Sequence, residues 1–178
     1  MSLEKTKSYQ IDMTNGSIIG KLVRFSVPLI FSGILQLLFN AADVIVVGKF
    51  AGDNSLAAVG STGSLINLLV NLFVGLSVGT NVVAANYFGA GKKKEVSETV
   101  HTAILISVYS GIFLTVVGVI GAKELLKLMQ SPPEVLDKAT LYLKIYFGGI
   151  TATMVYNFGA SLLRAKGDTK RPLYFLLF

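Results

Sequence analysis

Cysteine is absent from the 178-residue sequence, which excludes disulfides, thiol catalysis and any zinc or iron–sulfur site built on Cys ligands. Histidine is nearly absent: His101 stands alone, so neither a histidine metal cluster nor a histidine-centred triad can be assembled. No His/Asp/Glu cluster and no nucleophile beside a base replaces them. The expectation is a protein that is not an enzyme and holds no cofactor or metal. Charge is scarce too, at 15% of residues against roughly 25% in an average soluble domain. Ahead of the first long apolar run, which starts at Phe25, there is no short apolar segment with a cleavage site, which argues against a removable signal peptide. What is plentiful is apolar side chain: 52% of residues, for a mean hydropathy of +0.64. These proportions describe an integral membrane protein whose first partner is the lipid bilayer.

Between consecutive charges lie four uncharged runs, residues 25–42, 54–91, 99–122 and 145–163. Each can supply the roughly 20 residues that a helix needs to cross ~30 Å of hydrocarbon. The net charge of +6 invites a nucleic-acid reading, but no basic helix and no Arg/aromatic interleaving accompanies it. The Lys and Arg residues gather in short loops beside the apolar runs, where membrane topology explains them. In a four-span arrangement, eleven of them fall on the side of the N-terminus and five on the other. The positive-inside rule therefore places the N-terminus in the cytoplasm and predicts no nucleic-acid partner. The 38-residue run 54–91 is long for one helix, yet two spans would leave no room for a turn and would export Lys92, Lys93 and Lys94. Its Gly/Ser-rich start, 54–63, reads as an approach to the membrane rather than part of the span.

Local punctuation sets the boundaries. Thr14-Asn15-Gly16 can cap a first helix whose opening turns are amphipathic. Ser131-Pro132-Pro133-Glu134 matches a capping box with proline at the first helical positions. Gly167-Asp168-Thr169 breaks the chain again before a fifth apolar segment of seven residues that stops short of a span. The prediction is an all-α integral membrane fold of four complete transmembrane helices plus the start of a fifth. Residues 1–13 form a cytoplasmic tail, and residues 14–178 an incomplete transmembrane lobe with helices at about 17–49, 60–89, 96–124, 132–164 and from 171. The fifth segment reads as a helix cut short, so the chain is expected to be a piece of something larger.

Asp43 is the one acid embedded in a spanning run. An ionisable group at the bilayer centre is unfavourable by roughly 2.5–3.5 kcal/mol on insertion scales, so it faces a bundle interior or a wet cavity and marks an ion or substrate pathway. Pro28, Ser32, Gln36 and Asn40 precede it at intervals of four, so all five share one slowly drifting face. Pro28 removes a backbone hydrogen bond and is expected to act as a hinge. Helix two carries Asn67, Asn71, Gly75 and Gly79 on one row, with the amides as cavity candidates and the glycines as a packing face. Helix three offers Ser107, Gly111, Gly118 and Gly121 as a second packing face, with His101 interfacial and solvated or, alternatively, pH-responsive. On helix four, Thr153, Tyr156 and Asn157 lie deep enough to line a pathway, and Tyr142 falls in the interfacial belt. The amides also admit a plain helix-packing role, as does Asp43 a structural ion pair or cap.

Asp43-Val-Ile-Val-Val-Gly48, then Ala51-Gly52 and Leu56-Ala57-Ala58, then Gly89-Ala-Gly91, then Arg164-Ala-Lys-Gly167-Asp168-Thr169-Lys170-Arg171-Pro172 resemble, in order and spacing, the N-terminal part of a multidrug and toxic compound extrusion (MATE) transporter. The resemblance runs from Thr14 to Phe178. It implies a six-helix lobe of a twelve-helix, two-lobe transporter in the inner (plasma) membrane, with the missing C-terminal lobe as a partner. It further implies antiport of small-molecule drugs, organic cations or amphipathic compounds, against Na⁺ or H⁺ as coupling ion. Asp43 would be the helix-one acid of the N-terminal lobe and Pro28 the proline about which that helix bends. Acids and amides that complete such ion sites lie on later helices, so these residues alone are not expected to transport. The alternatives are a lipid-linked oligosaccharide flippase of the same superfamily, which would be expected to line its cavity with Arg or Lys, and a structural membrane subunit without transport.

Overall fold

The computed structural model describes residue 11, residues 17–50 and residues 52–177. Among them every regular element is helical. The elements are α1 Ile18–Phe50, α2 Asp53–Gly89, α3 Lys93–Leu128, α4 Pro133–Gly148, α5 Ile150–Ala165 and α6 Lys170–Leu177. Three of these, α1, α2 and α3, are each long and apolar enough to cross a membrane. At ~1.5 Å per residue they reach about 50 Å, more than the ~30 Å of a hydrocarbon core, so their ends stand in the interface. The chain is an all-α membrane fold. The expected tail and the Thr14-Asn15-Gly16 cap, apart from Ile11, lie outside the described residues.

The fourth span departs from the single helix expected over 132–164. It is two 16-residue helices, α4 and α5, joined at Gly149. Two adjacent glycines give the backbone little reason to stay α-helical. Tight turns take over: the Gly149 amide donates to the Tyr146 carbonyl at 3.2 Å and the Ala152 amide to the Gly149 carbonyl at 3.2 Å. From α3, the Thr115 hydroxyl donates to the Phe147 carbonyl at 2.9 Å, a side-chain repair of the kind that lets a broken helix persist in a membrane.

Helix two also differs, beginning at Asp53 rather than near residue 60. Gly52, at φ 78, turns the chain, and its carbonyl accepts from the amides of Ser55 and Leu56 at 3.0 and 3.1 Å. Asp53 then sits in the first turn, where a negative charge suits the helix dipole. Gly60 and Gly63 are carried inside the helix because Ala58, Thr62, Leu65 and Ile66 are buried on its packed side. Packing there outweighs weak propensity. The capping box at Ser131 does not form: the helix starts one residue late, with Pro132 as N-cap and no side-chain cap. Helix three begins at Lys93, three residues before the expected position.

The core lies where α3 meets α2, α4 and α5. Leu114, Ala122 and Leu126 of α3 are fully buried with Leu143, Phe147, Met154 and Phe158. Two α3 glycines permit this approach. A Cβ at Gly118 would collide with the Phe147 ring, and one at Gly111 would lie 2.6 Å from the Thr151 Cα. By contrast a Cβ at Gly75 or Gly79 would meet nothing within 4 Å, so among the described residues the expected α2 packing face has no helix on it. Helix α1 packs on α2 and α6 and stands off α3, α4 and α5. Pro28 is its one buried residue.

Candidate functional site: the cleft beside α1

Helical arithmetic on α5 locates the cleft. Ser161 meets α2 through Ser77 and Asn81, with the Asn81 amide donating to the Ser161 carbonyl at 2.6 Å and the Ser161 hydroxyl to Ser77 Oγ at 3.3 Å. Thr151 meets α3 through Thr115 at 3.3 Å, and the Tyr156 hydroxyl donates to the Pro172 carbonyl of α6 at 3.2 Å. At ~100° per residue, Thr153, Asn157 and Arg164 fall on the remaining arc, between α2 and α6. That arc looks toward α1, which touches α2 and α6 but not α5. The four helices thus border a gap.

Asp43 is on α1, the helix that borders this gap, seven residues before α1 ends at Phe50. It therefore sits in the half of the span nearest the α1–α2 turn rather than at mid-span. Its Oδ2 accepts a hydrogen bond from the Tyr142 hydroxyl of α4 at 3.4 Å, across the space that keeps the α1 and α4 backbones apart. Tyr142, expected in an interfacial belt, thus also engages the acid. No cation lies within ion-pair distance of Asp43 among the described residues.

The other candidates divide. Pro28 is buried within a continuous α1, and its carbonyl accepts from the Ser32 hydroxyl at 2.9 Å. The Asn40 amide donates to the Gln36 carbonyl at 3.0 Å and the Asn157 amide to the Thr153 carbonyl at 2.9 Å, so both turn back on their own helices and keep an oxygen available. Gln36, Asn67 and Asn71 are exposed, and their side chains make no hydrogen bond among the described residues. Tyr156 does not belong with them: it is on the arc facing α6 and lines a separate pocket with Phe88, Val100, Lys166 and Phe175. His101 is exposed, with Nδ1 2.7 Å from the Ser97 carbonyl, in keeping with an interfacial residue.

Two polar positions carry more structure than their sequence context suggested. Asp168 is fully buried in the α5–α6 turn. Its Oδ1 accepts from the Lys170 and Arg171 amides at 3.2 and 3.1 Å, which makes it the N-cap of α6, and its Oδ2 lies 3.1 Å from Arg171 Nε. The signal was there: an Asp after Gly and two residues ahead of a helix is a cap pattern. Arg164 is half-buried and donates to Ser161 Oγ at 3.1 Å, so a basic residue does border the gap.

Comparisons with known proteins bear on the family and the fold. The MatE family model matches residues 28–178. The probable multidrug resistance protein YpnP of Bacillus subtilis (strain 168) is 28% identical over 167 residues, which is 94% of this chain and 38% of that protein. Among solved structures, a MATE in the straight conformation has a TM-score of 0.85 and 28% identity, covering 97% of this chain and 38% of its own. A MATE in the bent conformation has a TM-score of 0.81 and 28% identity over 88% of this chain and 35% of its own. The chain thus spans about two fifths of the length of the relatives it matches. From Pro28 to Phe178, with its apolar spans and its acid on α1, it belongs to the MatE family.

Proposed function

We propose that this chain is part of a secondary multidrug efflux transporter in the plasma membrane, its N-terminus cytoplasmic, that antiports organic cations or amphipathic drugs against H⁺ or Na⁺. Asp43 is the shared docking point. The observation that carries this reading is the Asp43 carboxylate itself, placed on a spanning helix beside a gap, held by one tyrosine hydroxyl and by no cation among the described residues. A carboxylate in such a place is retained against its desolvation cost when it has a charge to exchange. Gln36, Asn40, Asn67, Asn71, Thr153 and Asn157 supply hydrogen-bonding capacity along the gap.

Ionised Asp43 attracts a cationic drug. Protonation, or a Na⁺ ion, neutralises it and removes that attraction, so ion and cargo compete for one group. A ligand moves a two-state equilibrium only by its differential affinity, and a hundredfold preference corresponds to about 2.7 kcal/mol. Moving one carboxylate between a wet and a dry site supplies energy of that order. The bend that answers it is placed at Pro28, where α1 lacks one backbone hydrogen bond. A second lobe, beyond the residues described here, closes the cavity, and these 178 residues alone do not transport.

Efflux of a fluorescent organic cation from vesicles, driven by a proton or Na⁺ gradient across the full-length transporter, tests the reading. Asp43→Asn should abolish driven efflux while the protein still inserts. Driven efflux at the wild-type rate in Asp43→Asn would remove the assigned role.

A further inference from the structure

A cavity of about 480 Å³ lies on the side of α5 away from the Asp43 gap, bordered by α2, α3, α5 and α6. Its walls are apolar: Phe88, Val100, Ala160, Leu163, Pro172 and Phe175. Gly159 also lines it, and a Cβ there would meet nothing within 4 Å, so a notch is open along α5. Tyr156 and Lys166 supply the polarity. The Tyr156 hydroxyl is already committed to the Pro172 carbonyl at 3.2 Å, which leaves the exposed Lys166 ammonium, without a carboxylate partner among the described residues, as the charged group at the mouth.

The position of the cavity selects its occupant. It sits where α2 ends, α3 begins and α5 passes into α6, the level of the membrane–water boundary. Lys92, Lys93 and Lys94 begin four residues after Phe88, and Lys170 and Arg171 immediately precede Pro172. Of the three acids at this end among the described residues, Glu98 lies 3.9 Å from Lys94 and Asp168 3.1 Å from Arg171, while Glu95 sits in the first turn of α3. The balance is positive. A soluble anion has no use for the apolar walls, and a zwitterionic lipid gains little from the surrounding lysines. Basic pockets between membrane helices with this make-up take anionic lipid head groups.

We propose that this cavity is a binding site for an anionic phospholipid, with an acyl chain against Phe88, Val100, Gly159 and Phe175 and the head-group phosphate on Lys166. The site is distinct from the Asp43 gap, since Tyr156 and α6 separate them, and its occupancy is read without any drug or gradient.

The 178 residues contain no tryptophan, so Phe175→Trp places a reporter in the wall. In the full chain reconstituted into vesicles, with any tryptophan outside these residues replaced, quenching by brominated phosphatidylglycerol should exceed quenching by brominated phosphatidylcholine at equal mole fraction. Lys166→Gln should lower that preference about fivefold, the weight of one lysine at an anionic surface, and Lys166→Arg should keep it. Gly159→Leu should reduce quenching by both lipids, with far-ultraviolet circular dichroism confirming an unchanged helix content. Equal quenching by the two lipids, no quenching by either, or a preference that survives both Lys166→Gln and Gly159→Leu would overturn the proposal.

Discussion

A carboxylate on a helix that otherwise presents Leu, Ile, Val and Phe keeps its charge only where water or a cation reaches it. Asp43 has such a place beside the gap. Its one hydrogen bond among the described residues, from the half-buried Tyr142 at 3.4 Å, is long. Tyr142→Phe should therefore change cation affinity by ~0.5–1.5 kcal/mol, about two- to tenfold, measured by equilibrium titration of a fluorescent cation, and should leave the fold intact. A loss as large as that of Asp43→Asn would mean that Tyr142 does more than orient the acid. Asp43 was legible from scarcity alone, because no other acid interrupts a spanning run. Tyr142 was not, since the two residues are 99 positions apart and only the packing of α4 brings them together. Tyr156 was misplaced for a related reason: depth along α5 says nothing about the arc on which a side chain sits, and Tyr156 lies beside α6 while Asn157 faces the gap.

Asp168 shows the same scale from the structural side. Its Oδ1 holds the first amides of α6, so Asp168→Ala should lower stability by ~1 kcal/mol or more through the lost cap. Asp168→Asn keeps an acceptor for those amides and should cost less. Thermal unfolding in detergent distinguishes the two, and equal losses would place the effect in the Arg171 ion pair instead. Gly167 precedes it at φ 85, and a Cβ there would run into the Ile11 carbonyl. Glycine is required at that turn on both counts.

At the scale of elements, the helices were legible because uncharged runs and basic loops leave little freedom in a bilayer, where every backbone group must be satisfied within its own segment. The break at Gly149 was hidden by the same logic. The uncharged run continues through it, and the repair comes from Thr115 on another helix. The start of α2 was hidden because Gly and Ser near residue 60 carry loop propensity that packing overrides. The α3 glycines differ in a way that can be measured. Gly118→Ala puts a methyl into the Phe147 ring and should cost ~1–3 kcal/mol, whereas at Gly121 a Cβ would rest 3.5 Å from Leu125 Cδ1, an ordinary contact. Gly121→Ala should be neutral or slightly stabilising, and chemical denaturation of both variants checks the contrast. Pro28→Ala restores one backbone amide to α1 and should add ~1 kcal/mol of helix stability while slowing efflux, because the bend is assigned to that residue. Faster efflux in Pro28→Ala would place the bend elsewhere.

For the whole molecule, the arrangement divides its labour between two sides of α5. One side borders the gap toward α1, which packs on α2 and α6. The other side is packed against α3 and carries Phe158 and Met154 fully buried. In the proposed mechanism, a small difference in ion affinity selects between two placements of α1 against the packed body of α2 to α5. The chain spans about two fifths of the length of the relatives it matches.

The central claim is that ion and cargo compete for one carboxylate. Equilibrium binding of an organic cation to the full-length transporter, titrated at rising proton or Na⁺ concentration, measures it directly. The account predicts that affinity falls as the coupling ion rises in the wild type and that this dependence vanishes in Asp43→Asn. The same ion dependence in both proteins would contradict it.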